Sequence, residues 1–395
     1  MRLPSGTSLM LVAVASAPLA AQAPADSGAF VVHLGTDTLA VERYTRTAGE
    51  LRSDLVVRVP DARRVRYTAT LDAGGAIRAL DLTLEPLGRG HPTSQPAHGV
   101  MWFHGDTADV TLTLGDSTRR LRIPARRGAV PLAAYSHALI EQAVLQARRK
   151  GRDSVAFDWV GLGAPGASPS YVVRCAADSV RVAFFGAPGY IKLDELGRIL
   201  SLDGRATTQK VWVERRTTLD LDHYAAEFTA RQAVEGPLGP LSPRDTTRAT
   251  IAGATLTVDY SRPRKRGRDI FGGVVGWHEI WRLGANSATH LTTDADLEVD
   301  GRIIPAGTYT LWMLPAPEGA SLVVNRETGQ WGTNYDPARD LARLGLRRER
   351  APAPVDQLTI AVEAASAGGV LRISWDTTSY LVRFSVRRTG HAAGS

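Results

Sequence analysis

Cysteine is almost absent from this sequence. Cys175 is the single one, so no disulfide can form within the chain, and packing and hydrogen bonding must hold it together. It ends the strand-like run Tyr171-Val-Val-Arg-Cys175, which predicts a buried, inert thiol. A nucleophilic cysteine needs an accessible, electropositive setting, and no sequence neighbour supplies a base. Lysine is nearly as scarce. Only Lys150, Lys192, Lys210 and Lys265 occur, so the net charge of +7 and the pI of about 9.7 come from arginine. Those arginines are interleaved with Asp and Glu in most windows, and no nucleic-acid reader motif accompanies them. Nucleic acid is therefore not an expected partner. Beyond the first residues, no apolar run is long enough to span a bilayer as a helix.

Catalytic signatures are lacking too. There is no G-x-S-x-G elbow and no P-loop. Gly161-x-Gly163-x-x-Gly166 has the spacing of a dinucleotide fingerprint, but Pro165 and Pro169 interrupt the helix that the pyrophosphate would need, so a loop is expected. His91, His98 and His104 share one polar stretch. Their intervals of seven and six residues fit neither a helix face nor a tight metal loop. His278-Glu279 lacks the second histidine of a zincin helix. Neither a metal nor a cofactor is called for.

What is present begins with an export signal. Arg2 gives a short positive start, residues 8–20 are apolar, and Ala21-Gln22-Ala23 supplies a small-x-small cleavage pattern. The expectation is a signal peptide over residues 1–23, a mature chain starting near Pro24, and a periplasmic or secreted location. Hydrophobic content of 44% and 395 residues suit two domains.

Residues 24–232 alternate with period two. Val65, Tyr67, Ala69 and Leu71 share one face, Gly74-Gly75 makes a turn, and Leu80, Leu82 and Leu84 return; a similar hairpin surrounds Gly197. One helix over about 131–149 interrupts them, with Pro131 in its first turn and Arg148, Arg149 and Lys150 at its end. An antiparallel sheet packed on one helix follows, an arrangement loosely like lipid-cradling carriers. A short helix over roughly 220–232 leads to a Pro/Gly linker over 233–243.

Residues 244–390 are again β. Leu256, Val258 and Tyr260 alternate, Asp300-Gly301 signals a hairpin, and Pro305-Ala-Gly307 a tight turn. Leu358/Ile360/Val362, Leu371/Ile373/Trp375 and Tyr380/Val382/Phe384/Val386 read as three strands of a β-sandwich. The phrases Tyr260-Ser-Arg-Pro263, Gly267-Arg-Asp-Ile-Phe-Gly272, Trp281-Arg-Leu-Gly-Ala-Asn286, Pro305-Ala-Gly-Thr-Tyr309 and Gln330-Trp-Gly332 resemble the family catalogued as domain of unknown function 2911, over about 241–388. The resemblance implies an exported β-sandwich domain and no assigned activity. Nothing comparable marks the N-terminal part.

The densest basic run is Arg262-Pro-Arg-Lys-Arg-Gly-Arg268. Trp277 and Trp281, four apart, would share a face on a short helical turn and pack in the core. Asparagine is rare, and Asn286 stands four residues after Arg282 with Gly284 between them, a sharp turn that aims both side chains one way. A ligand site, if present, falls to Arg262, Arg268, Arg282, Asn286 and Trp331. Clustered arginines repel one another unless an anion sits among them or acids such as Asp259, Asp269 and Glu279 pair with them. The implied partner is a small anionic ligand. Three readings of function remain: a non-catalytic binding or structural module, a hydrolase-like envelope enzyme with a polar Arg/Asn site, and a carrier of an apolar ligand in the N-terminal sheet.

Overall fold

A computed structural model of the chain describes residues 26–88, 97–184 and 187–387. The proposed signal segment and His91 lie outside the described residues. The chain is mainly β, with two α-helices among the described residues. The first fifteen strands are β1 (Asp26–Leu34), β2 (Asp37–Arg46), β3 (Glu50–Val57), β4 (Arg63–Leu71), β5 (Ile77–Pro86), β6 (Ala97–His104), β7 (Thr107–Leu114), β8 (Ser117–Pro124), β9 (Val130–Leu132), β10 (Ser154–Gly161), β11 (Ala167–Ala176), β12 (Ser179–Phe184), β13 (Ala187–Leu193), β14 (Ile199–Asp203) and β15 (Trp212–Arg216). They form one sheet in the order β8 through β1, then β15 down to β9. Two meanders are thus joined where β1 pairs β15, with Ala29 opposite Arg216. All neighbours run antiparallel except β9 and β10.

Helix α1 (His137–Arg149) buries ten of its residues, and Leu139 and Val144 join the cluster of Phe30, Leu51 and Val160. It starts six residues later than the Pro131 signal predicts. Pro131 lies in β9, opposite Val160, and Ser136 caps the helix by accepting from Leu139 N. The start is set from outside the helix as well. The buried Glu42 of β2 accepts from the backbone N–H of His137 (2.5 Å) and Ala138 (3.0 Å), two donors that a helix N-terminus leaves free. Its other oxygen takes Ser53 Oγ at 2.7 Å and Ser136 Oγ at 2.8 Å. Glu141, also buried, accepts from Tyr44 Oη, Arg46 Nη1, Arg215 Nη1 and Ile199 N at 2.5–2.9 Å. Gly75 and Gly197, at positive φ in the two hairpin turns, lie against the Arg149 and Arg148 side chains at the far end of the helix.

Helix α2 (Leu221–Glu235), capped by Asp220 and ended by Gly236 at φ 77°, runs three residues into the expected linker. The segment expected as a linker is docked: Gly239 N donates to Pro60 O, and Leu238 and Leu241 pack on the N-terminal core. The remaining strands are β16 (Arg244–Ile251), β17 (Ala254–Ser261), β18 (Thr289–Thr293), β19 (Asp296–Val299), β20 (Arg302–Ile304), β21 (Gly307–Ala316), β22 (Gly319–Asn325), β23 (Asp340–Ala365) and β24 (Gly368–Arg387). Their order is β16-β17-β18-β21-β22-β23-β24-β19-β20. Asp300 and Gly301, both at positive φ, turn β19 into β20.

The last two of the three expected strands are one strand, β24. Asp376 sits at φ 55° where the β23–β24 register shifts, and an inserted residue of this kind swaps the face. The buried set therefore moves from odd positions (Leu371, Ile373, Trp375) to even ones (Tyr380, Val382, Phe384) without a turn. Cys175 is exposed, contrary to the sequence reading, because β11 leaves the core over its last residues. The Gly161–Gly166 stretch is the connection between β10 and β11.

A candidate anion cleft between the two sheets

The connection from β17 to β18, residues 262–288, has no α-helix and makes no strand ladder of its own. Connections longer than roughly 12–15 residues without regular structure are uncommon, and are usually either functional or disordered. This one is pinned at many points. Lys265 N donates to Asp356 O, Leu358 N to Pro263 O, His278 N to Pro315 O, and Trp281 exchanges both backbone bonds with Met313. The turn between β1 and β2 locks onto it as well: Thr36 N donates to Arg266 O at 3.0 Å, and Asp37 holds the Arg266 guanidinium.

The basic run is resolved residue by residue. Arg262 bonds Asp245 Oδ2 (2.8 Å), Leu358 O and Thr359 Oγ1, so it braces β16 against β23 and is not part of the cleft. Arg264 pairs with Asp356, Lys265 with Asp376 and Arg266 with Asp37. Arg268 alone in the run forms no ion pair with a carboxylate among the described residues. It donates to Lys265 O and Arg264 O at 2.9 and 2.6 Å, and burial pulls its pKa down from 12.5.

Trp281 packs on the core through a turn rather than a helix, and Trp277, expected there too, stays half-buried at its edge. Trp277 stacks on Phe271, and Trp281 stacks on Trp375 with centroids 5.9 Å apart. In Trp281-Arg-Leu-Gly-Ala-Asn286, Leu283 is fully buried at φ 50°, a conformation that costs about 1–3 kcal/mol for a non-glycine residue. The turn is made by Leu283 and by Asn286 at φ 59°. Gly284 serves a different purpose from the one expected. A Cβ there would come within 2.9 Å of Ser261 O, so glycine allows the connection to lie flat on β17.

This backbone turns Arg282 outward into a cleft of about 1040 Å³ between the two sheets. Arg268, Arg282, Asn286 and Trp331 all line it. Arg282 Nη1 donates to Asn286 O at 3.2 Å; no ion pair to it exists among the described residues, and burial lowers its pKa. Of the acids considered as partners, Asp259 is bound in a two-pronged pair to Arg244 and Glu279 stands exposed at the cleft wall. Asp269 forms no ion pair among the described residues, and its carbonyl accepts from Val274 N.

Three further lining residues stand in no sequence motif. Lys210 comes from the other sheet, in the turn before β15, at φ 58°. Its pKa is lowered by burial, then by the field of Arg282; Glu279 opposes the shift and Arg268 adds to it. Tyr135, also at positive φ, has its hydroxyl pKa raised by burial. Trp312 is buried, and its Nε1 has no hydrogen-bond partner among the described residues. Elsewhere, His98 pairs with Asp81 at 2.9 Å on the outer face of β6, and His104 ends that strand. No group of three or more metal-ligating side chains occurs among the described residues. No helix among them is long and apolar enough to cross a membrane.

Residues 242–384 match the sequence profile of the family described as "Protein of unknown function (DUF2911)", and the N-terminal part has no family match. No curated protein matches the chain. One similar solved structure is a DUF1089 family protein from Pseudomonas aeruginosa, 16% identical, covering 42% of this chain and 89% of that chain at a TM-score of 0.31. Another is a beta-barrel-like protein of domain of unknown function DUF1849 from Brucella abortus, 14% identical, covering 49% of this chain and 94% of that chain at a TM-score of 0.32. All three are domains of unknown function, and no specific function follows from them.

Proposed function

We propose that the chain is an exported, two-domain, non-catalytic binding protein that holds a small anion in the cleft between its sheets. In this reading residues 24–232 wrap a sheet on α1, residues 244–390 form a β-sandwich, and the segment of 1–23 is removed on export. N-terminal sequencing of the mature chain should then begin near Pro24; an intact Met1 on protein from the cell envelope would contradict export.

One observation carries the binding reading. Lys210, Arg268 and Arg282 converge on one cleft and none of them meets a carboxylate in an ion pair among the described residues, in a chain where most buried arginines do. Like charges held together without a counter-ion raise the energy of the empty site, and an anion with several acceptor oxygens relieves this. Binding is preferred to catalysis because, among the described residues that line the cleft, no hydrogen bond joins a nucleophile to a base. The carrier reading has little support, since Phe30, Leu51, Leu139, Val144 and Val160 fill the space between α1 and the sheet. Titration calorimetry of the whole chain with phosphate, sulfate and citrate tests the proposal. At least one should bind, and Arg268→Ala should weaken it. No heat from any of the three would refute the reading.

A further inference from the structure

The anion reading leaves open what the anion is attached to, and the cleft wall carries a second kind of information. Trp331 is 43% exposed, a large ring left in water at a site that otherwise keeps Trp312 buried. Its position relative to Arg282 is fixed by one atom. The carbonyl oxygen of Asn286 accepts from Arg282 Nη1 at 3.2 Å and from Gly332 N at 3.0 Å, and Ser287 and Trp331 form a bridge beside it. A Cβ on Gly332 would lie 2.3 Å from Arg282 Cδ, so the backbone after the indole touches the arginine stem directly. A cationic donor and an exposed aromatic face are thus held side by side from a common anchor, on a segment tied into the sheet.

The rest of the wall narrows the anion. Glu279 opposes Lys210 and Asp37 opposes Arg268, and Asp37 is already paired with Arg266, another residue of the cleft wall. Four lining cations, Arg266 among them, against Glu279 and Asp37 leave an excess of two positive charges, which favours a dianion over a single carboxylate. A phosphate monoester carries a charge near −2 at neutral pH and three acceptor oxygens for such donors. Flat faces of arenes and sugars both stack on indole, whereas a flexible chain gains less because it must be ordered.

We infer that the ligand of the cleft is a phosphate monoester of a ring compound, an arene or a sugar, with its phosphate among Lys210, Arg268 and Arg282 and its ring face on Trp331. The inference rests on the anion reading and narrows it. The experiment is calorimetry of the whole chain with inorganic phosphate, n-butyl phosphate, phenyl phosphate and glucose 6-phosphate. At least one ring ester should bind about tenfold more tightly than the butyl ester, the gain expected of a single stacked ring. Which ring ester gains names the arene or the sugar. Trp331→Ala should abolish that advantage and leave inorganic phosphate binding unchanged, and Trp331→Phe should keep part of it. Should Trp331→Ala lose inorganic phosphate as well, Trp331→Phe decides: partial retention supports the stacking role and no ring preference overturns it. Equal binding of butyl and ring esters, or a ring advantage that survives Trp331→Ala, overturns the inference and leaves the anion reading standing. Wild type that binds none of the four overturns both.

Discussion

Inside the N-terminal sheet, Arg46 and Arg215 converge on the buried Glu141, Arg46 also reaches Asp26, and the carboxylate takes Tyr44 and a backbone N–H besides. In the cleft, Lys210, Arg268 and Arg282 converge with carbonyl oxygens and one exposed acid around them. The same kind of cation serves two ends. Where carboxylates come from β1 and α1, the group is closed and holds the fold together. Where the neighbours are backbone carbonyls, donors are left over and the group stays open to a ligand. Within the basic run the contrast is sharper still, because Arg262 through Arg266 each find an acid on a different element and Arg268 does not.

The comparison breaks most violently at Glu141. Glu141→Ala leaves Arg46 and Arg215 buried without their shared partner, and about 3–5 kcal/mol of stability should be lost in urea unfolding. A loss below 1 kcal/mol would mean that the network is not the brace described. A second effect of similar reach is pH dependence. His137 is buried at the start of α1, and burial lowers its pKa from 6.5 to about 4. The fold holds it neutral, whereas the unfolded chain takes up a proton near 6.5. Its contribution is therefore complete above pH 6.5 and is lost as pH falls from there toward about 4, amounting to roughly 3 kcal/mol. His137→Gln should flatten this slope. Measuring that difference separates the histidine from Glu42, whose burial-raised pKa acts in the opposite sense. Gly332→Ala drives a methyl group into Arg282 and the Asn286 carbonyl, and overpacking of this kind costs about 1–3 kcal/mol. Anion affinity should fall with it, so a stable variant with full affinity would contradict the shared anchor. Arg282→Ala is the mildest, with a stability change of about 1 kcal/mol or less, because it breaks no ion pair.

Much of this was legible in the sequence. Period-two alternation marked the strands, Asp300-Gly301 and Gly74-Gly75 marked hairpins, and four of the five residues singled out for a site line the cleft. Other features are set by long-range register. Arg262 could not be recognised as a brace, because its partner Asp245 lies on the neighbouring strand, brought opposite by the pairing of β16 with β17. Glu42 and Glu141 stand in no motif, yet both are buried where the sheet meets α1. Pro131 misled because a proline suits a helix start and an edge strand such as β9 equally by its fixed φ. Lys210 carried no motif. Its rarity was the available clue, and its placement against Arg282 depends on how the two sheets meet.

The central claim is that the cleft cations are open where the interior ones are closed. Thermal unfolding in phosphate, against sodium chloride at equal ionic strength, tests it most directly, because a ligand that binds the folded state raises the midpoint. Wild type should gain in midpoint as phosphate is added, and Arg282→Ala should show little or no gain from a similar starting value. An equal rise in both proteins, or no rise in wild type, would contradict the account.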